Sequence, residues 1–205
     1  MAGMGGTAMV GAGLFLVTWV VMMVAMMLPT VVPTVVTHAG IVRSRGEGIV
    51  PTVAFVVGYL MVWTATGLVP LVVIQLLGSS IAFPGGWLPR LGGAVVVLAG
   101  AYQLTRLKTA CLRACRLALG SIATHDLGGG SSAAARAGIS HGLDCLGCCW
   151  ALMAVLAVLG LMNLVWMAVF SVVYFLEKTW RHGVVVSRIV GAACMLLGLE
   201  MTIKV

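Results

Sequence analysis

One segment of the chain gathers thiol, imidazole and carboxylate side chains. It holds His141, Asp144, Cys145, Cys148 and Cys149. On an α-helix, which turns about 100° per residue, these side chains project into one arc of about 140°. Thiolate and imidazole ligands bind copper and zinc, so the segment predicts a metal site or a thiol-redox site. The alternative is packing, with each Cys a small apolar residue and the two polar side chains hydrogen-bonded between helices.

A second group consists of thioethers. Met22, Met23, Met26 and Met27 lie within six residues, and Trp19 shares a helical face with Met22 and Met26. Thioether ligands select Cu(I) among the biologically available metals. The competing interpretation is that these methionines are flexible side chains filling gaps between helices.

A third group is the pair Cys111 and Cys115, whose i, i+4 spacing places both sulfurs on one helical face. The neighbouring Lys108, Arg113 and Arg116 are expected to lower the pKa of both thiols and favour the metal-binding thiolate. Reversible palmitoylation of cysteines beside the membrane and simple packing are the alternatives.

We expect the three groups to converge on one site in the inner leaflet. His38 and His125 are predicted on the same side and are candidate additions, although each taken singly fits an ordinary surface or loop histidine. Asp144 and Trp19 are expected to support the site from outside the ligand set. A thiolate and thioether set favours Cu(I), whereas thiolate and imidazole ligation also suits zinc.

The elements that position these residues are predicted to be membrane helices. Of the 205 residues 61% are hydrophobic and 8% charged, against about 25% charged in soluble domains. Apolar runs near 20 residues long predict an all-α, polytopic helical bundle. The single transmembrane domain, residues 1–205, is expected to have about six helices and a flexible cytoplasmic loop at 108–137; the helices are predicted near 12–37, 52–77, 91–107, 138–162, 164–176 and 184–203.

The distribution of basic residues predicts the orientation. Ten of the 12 Lys and Arg fall in connections on one side of the predicted bundle, which is therefore assigned to the cytoplasm, with both termini outside it. The net charge of +7 therefore reflects mainly the basic residues of the predicted cytoplasmic connections. Because these residues are scattered among connections, they argue against nucleic-acid binding. We expect a multi-pass membrane protein.

The quoted segments resemble a known family. The Met-rich stretch from Trp19 to Pro29, the Cys111 to Arg116 segment and the run from His141 to Met153 are similar to the signature segments of the bacterial DUF2182 family. That family is described as predicted metal-binding integral membrane proteins, sometimes as copper chaperones. The resemblance covers nearly the whole chain and implies a role in metal handling.

Three functions follow as hypotheses. The first is a copper-binding protein that holds or delivers Cu(I), as a chaperone or as an accessory subunit of a membrane copper enzyme; ligand exchange of this kind requires no enzymatic reaction. The second is a transmembrane thiol-disulfide electron carrier that uses the C-x-x-C pair Cys145 and Cys148. The third is a purely structural subunit packed against other membrane subunits. The expected partners are the bilayer and, in the first case, a membrane copper enzyme.

Overall fold

The computed structural model describes residues 3–80, 87–117, 130–159 and 163–203. Over these ranges the protein is all-helical, as predicted, with seven helices and no strand. The helices are α1 (Gly3–Ser44), α2 (Val50–Ser80), α3 (Trp87–Gln103), α4 (Arg106–Arg116), α5 (Gly130–Leu159), α6 (Leu164–Thr179) and α7 (Gly183–Ile203).

Four helices are long and apolar enough to cross a membrane. Their spanning segments are Gly11–Ser44, Val50–Val73, Gly130–Leu159 and Gly183–Ile203. Helices α3 and α6 are shorter, with 17 and 16 residues. Each of the six predicted helices overlaps a helix of the structure, although the third was predicted to run to residue 107 and α3 ends at Gln103. The count of six spans and the location of the termini stay predictions.

Residues 108–137, expected to form a loop, include two helical stretches. Helix α4 covers Arg106–Arg116, and α5 begins at Gly130, eight residues before the predicted start. The side chain of Thr105 caps α4 by accepting a hydrogen bond from the backbone N–H of Lys108. Lys108, Leu112 and Cys115 point inward at helical spacing, so α4 is held by its buried face.

Glycines allow the central helices to approach closely. An added Cβ at Gly138 of α5 would overlap the backbone carbonyl of Phe55 in α2, and one at Gly142 would meet Val62. The small residues at positions 138 and 142 predict close approach of another helix beside His141, and the structure confirms this with α2. Helices α3 and α7 pack in the same way through Gly100 and Gly191.

Helix α5 is the centre of the bundle. It packs against α2, α3, α4 and α6, while α1 packs against α2 and α6. The C-terminal part of α1, the N-terminal half of α5, the short α4 and the end of α6 therefore meet at one end of the bundle. The residues buried there include the predicted methionines and most of the predicted cysteines.

Candidate metal site

The inward face of α5 carries the first part of the site. His141, Cys145 and Cys148 are buried at i, i+4 and i+7, and Cys149 is buried beside them. The sulfurs of Cys148 and Cys149 lie 3.4 Å apart, and the Cys148 thiol donates a hydrogen bond to the backbone oxygen of Cys145 over 3.1 Å. Three thiols are thus grouped on two turns of one helix.

Helix α4 adds a fourth thiol. Cys115 is buried and its side chain hydrogen-bonds with those of Cys145 and Cys148. The hydrogen bond with Cys145, together with burial, raises the pKa of the Cys115 thiol well above its ordinary value. The expectation that neighbouring basic residues lower this pKa is therefore wrong: Arg113 is exposed, and the ammonium of Lys108 is paired with a carboxylate.

Cys111, the other cysteine of α4, has a different environment. It is half-buried, and its Sγ would lie 3.0 Å from a Cβ added at Gly147. The glycine at 147 therefore lets α4 lie directly on α5. All six cysteines of the chain are free.

Helix α1 contributes the thioethers. Met22, Met23, Met26 and Met27 are all buried, and they share one continuous core with Cys115, Cys145, Cys148 and Cys149. The three predicted groups therefore border the same hydrophobic core. Of these methionines, Met27 comes nearest to a charged atom of the site, because its Sδ lies 3.9 Å from the Nζ of Lys178.

Lys178, at the end of α6, joins α1 to α5. Its Nζ donates hydrogen bonds to the Sγ of Cys145 over 2.9 Å and to the Oγ1 of Thr30 over 3.0 Å. The Thr30 hydroxyl in turn donates to the backbone oxygen of Met27. Tyr59 of α2 approaches the same sulfur, with 3.3 Å between its hydroxyl oxygen and the Cys145 Sγ. Together with Cys115 of α4, Cys145 is therefore contacted from three other helices.

A buried ion pair lies beside the thiols. The Nζ of Lys108 is 2.8 Å from the Oε2 of Glu177, and both side chains are at most 1% exposed. Lys108 also donates to the backbone oxygen of Cys148. Burial lowers the pKa of Lys108, but the carboxylate of Glu177 and the nearby cysteines more than offset this, so the pKa lies above its ordinary value. The ion pair ties α4 to α5 and α6.

The predicted histidines have different outcomes. His141 lies near the rings of Tyr59 and Phe55, with centroids 5.9 and 6.1 Å away, and its Nδ1 is buried without a hydrogen-bond partner. His38 is buried and stacks on Phe55 at 4.8 Å. Phe55 thus stands next to both imidazoles. His125 lies outside the described residues.

Trp19, which is expected to support the site from outside, makes contacts with α2. Trp19 donates from its Nε1 to the backbone oxygen of Trp63 over 2.9 Å, and its ring packs where Gly67 leaves space. It therefore joins α1 to α2. Asp144 is half-buried on α5.

A small cavity reaches one thiol of the cluster, that of Cys115. It has a volume of about 270 Å³, which is room for several water molecules. Its walls come from α1, α4, α5 and α6, and its lining residues are Thr30, Pro33, Thr34, Cys115, Arg116, His141, Lys178 and Thr179. The cavity gives access to the cluster from the end of the bundle where α4 lies.

The side chains form a hydrogen-bonded thiol cluster and not a coordination shell. In the described part of the chain, no three His, Cys, Asp or Glu side chains are arranged to hold a metal ion. The reason is visible at two cysteines: the Cys148 thiol turns toward its own helix backbone, and the Cys145 sulfur accepts from Lys178. The donor types nevertheless fit a soft metal, since thiols and thioethers are grouped and shielded from water.

Sequence reasoning did not assign Lys108, Glu177, Lys178 or Tyr59 to the site. The signal that points to the first three is charge: ionisable side chains are rare in an apolar bundle and are functional candidates where they occur. Tyr59 has no such signal, because an aromatic residue in a membrane helix is common.

The fold and the site define an all-helical protein, apolar enough to span a membrane, with a buried cluster of soft donors. The family model PpoB2, described as copper chaperone, matches residues 16–201. The chain therefore belongs to the PpoB2 family of copper chaperones, in agreement with the resemblance to metal-binding membrane proteins. No curated protein and no solved structure matches it.

Proposed function

We propose that the protein binds Cu(I) in the cluster formed by Cys115, Cys145, Cys148 and Cys149 and delivers it to another protein in the membrane. The observation that carries this proposal is the burial of four thiols together with four thioethers in one core. Such a donor set prefers Cu(I) to the harder divalent ions. Family membership supports a copper-related role.

Copper is the cargo in this account. Cu(I) reaches the cluster through the cavity beside Cys115 and exchanges one sulfur ligand for another as it moves. The ion keeps its oxidation state, and a ligand that starts as a thiol releases its proton to water. Met27 contacts the ammonium of Lys178 and is the proposed ligand from α1, whereas Met22, Met23 and Met26 are buried in the same core.

His141 and Cys111 flank the cluster in this proposal. His141 lines the cavity, so its imidazole is available to an ion passing toward Cys115. Cys111 lies one turn before Cys115 on α4 and packs against Gly147. In this proposal it binds the ion after Cys115 has bound it. The predicted orientation puts the cavity on the cytoplasmic side of a bacterial inner membrane. The recipient in this proposal is a membrane copper enzyme.

Competition with a chromophoric Cu(I) chelator tests the proposal. The reduced protein is purified anaerobically in detergent, and the parent is compared with the double variant Cys145→Ser/Cys148→Ser. Cys194→Ser is the matched control, because Cys194 is also buried but lines an apolar pocket on α7. The parent and the control should take Cu(I) from the chelator equally, and the double variant should not. Equal uptake by all three proteins would show that copper binds elsewhere.

A further inference from the structure

An ammonium group lies between donor atoms of two of the predicted ligand groups. Lys178 Nζ lies 2.9 Å from Cys145 Sγ, 3.0 Å from Thr30 Oγ1 and 3.9 Å from Met27 Sδ. A lysine ammonium has three N–H donors. The thiol of one helix and the thioether of another are thus already turned toward one cation.

The surroundings of Lys178 differ from those of the other buried lysine. Lys108 is paired with the carboxylate of Glu177 and is fully buried, which is the usual arrangement of a structural ion pair. The hydrogen bonds of Lys178 in the described part of the chain go instead to two sulfurs and a hydroxyl. The Met27 thioether and the Thr30 hydroxyl are uncharged acceptors, so these two contacts hold the ammonium less firmly than a carboxylate does.

The ammonium and a copper ion cannot both occupy this position. Both require the lone pairs of Cys145 and Met27, and two positive charges a few ångströms apart repel each other in a region shielded from water.

Lysine has a flexible four-carbon stem that lets its ammonium move by several ångströms without a change in the backbone. Lys178 is half-buried and borders the cavity that also contacts Cys115, Arg116 and His141. There is therefore space next to the cluster into which the ammonium can move.

We propose that Lys178 is a resident cation that keeps the empty site closed and is displaced into this cavity when Cu(I) binds. The inference rests on the proposed function. In the exchange, the hydrogen bond from Nζ to the Cys145 sulfur breaks and a copper–sulfur bond forms. No electron is transferred, and a thiol ligand gives its proton to water. When copper leaves, the ammonium returns and prevents the thiols from binding another cation.

Removal of the charged side chain tests the competition. Lys178→Leu keeps the apolar stem and removes the ammonium, so Cu(I) no longer displaces a charged hydrogen bond. Its affinity for Cu(I), measured against the chelator, should be about tenfold or more above that of the parent. Arg116→Gln is the matched control, because Arg116 lines the same cavity but its guanidinium donates to the backbone oxygen of Trp180. Unchanged or weaker binding by Lys178→Leu, or equal tightening by Arg116→Gln, would overturn the displacement.

A second measurement uses the unaltered protein. The parent is treated with an amine-reactive ester with and without Cu(I), and modification of each lysine is read by mass spectrometry. Labelling of Lys178 should rise severalfold with Cu(I), while that of Lys108 should stay low in both states because its ion pair is buried. If the parent binds Cu(I) but the labelling of Lys178 does not change, the displacement of Lys178 is overturned while the proposed function stands. A parent that binds no Cu(I) would overturn this inference together with the proposed function.

Discussion

The ammonium of Lys178 donates a hydrogen bond to the sulfur of Cys145 across 2.9 Å, although the two residues are 33 positions apart in the chain. This contact joins the end of α6 to the centre of α5. Thr30 of α1 holds the same ammonium, so three helices meet at one nitrogen atom. The thiol cluster is consequently sensitive to changes in any of these helices.

Replacement of Met27 by leucine should weaken Cu(I) binding by about tenfold or less and leave the fold intact. Leucine fills nearly the same volume, so the core is preserved while the thioether is lost. Met153→Leu is the control, since Met153 lies on α5 facing an apolar pocket lined by Trp19 and Trp63. Chelator competition measures both. The same variants separate copper binding from thiol-disulfide exchange, because exchange needs no thioether and should proceed equally in both. Equal Cu(I) affinity of Met27→Leu and Met153→Leu would contradict the role of Met27 as a ligand.

Cys115 and Cys111 should differ in their effect on copper. Cys115 hydrogen-bonds with Cys145, whereas the Cys111 sulfur lies against Gly147. Cys115→Ser should therefore lower Cu(I) affinity by about tenfold or more, and Cys111→Ser by much less. Equal losses in the chelator assay would contradict the placement of Cys111 outside the central cluster.

Breaking the Lys108–Glu177 pair should destabilise the fold. Removal of one partner leaves a buried charge, at a cost of about 3–5 kcal/mol, whereas replacement of both partners by apolar residues is often neutral. Lys108→Met alone should lower the unfolding temperature in detergent by roughly 10 °C. The double variant Lys108→Met/Glu177→Leu should regain most of this loss, and a double variant as unstable as the single one would contradict a simple ion-pair role.

The pH dependence of this stabilisation has a defined sign. The pKa of Lys108 is raised above its ordinary value of 10.5 in the folded chain. A raised lysine pKa contributes stability that is fully present below the ordinary value and is lost as pH rises through the folded value. Unfolding temperatures of the parent and of Lys108→Met should therefore converge as the pH rises into the strongly alkaline range.

The contact between α2 and α5 should depend on Gly138. An alanine there would place its Cβ against the backbone carbonyl of Phe55, which cannot yield without separating the helices. Gly138→Ala should cost roughly 1–3 kcal/mol and loosen Cu(I) binding through displacement of Tyr59 and His141. Gly40→Ala in α1 is the control, because an added Cβ there meets nothing within 4 Å. Comparable unfolding temperatures for the two variants would refute this packing.

Much of the architecture could be predicted from local sequence. The apolar runs indicate the helices, and the spacing of Cys145, Cys148 and His141 indicates a shared face, because both follow from the geometry of one helix. The glycine pair at 138 and 142 similarly predicts a close neighbour, though not that the neighbour is α2.

The remaining features depend on contacts between distant residues. Lys108 points inward in a helix whose other charged residues face outward, and the reason is Glu177, which is 69 positions away. From the sequence alone, Lys178 is a charged residue at the end of a predicted helix. Its proximity to Cys145 follows only from the packing of α6 on α5. Short-range patterns contain neither relationship.

The central claim, that the cluster binds Cu(I), is tested most directly by the copper content of the protein. The parent and Cys145→Ser/Cys148→Ser are purified in detergent under anaerobic reduction from cells supplied with copper, and metal per chain is measured by elemental analysis. The account predicts near-stoichiometric copper in the parent and its loss in the double variant. A metal-free parent, or copper retained equally by the variant, would contradict it.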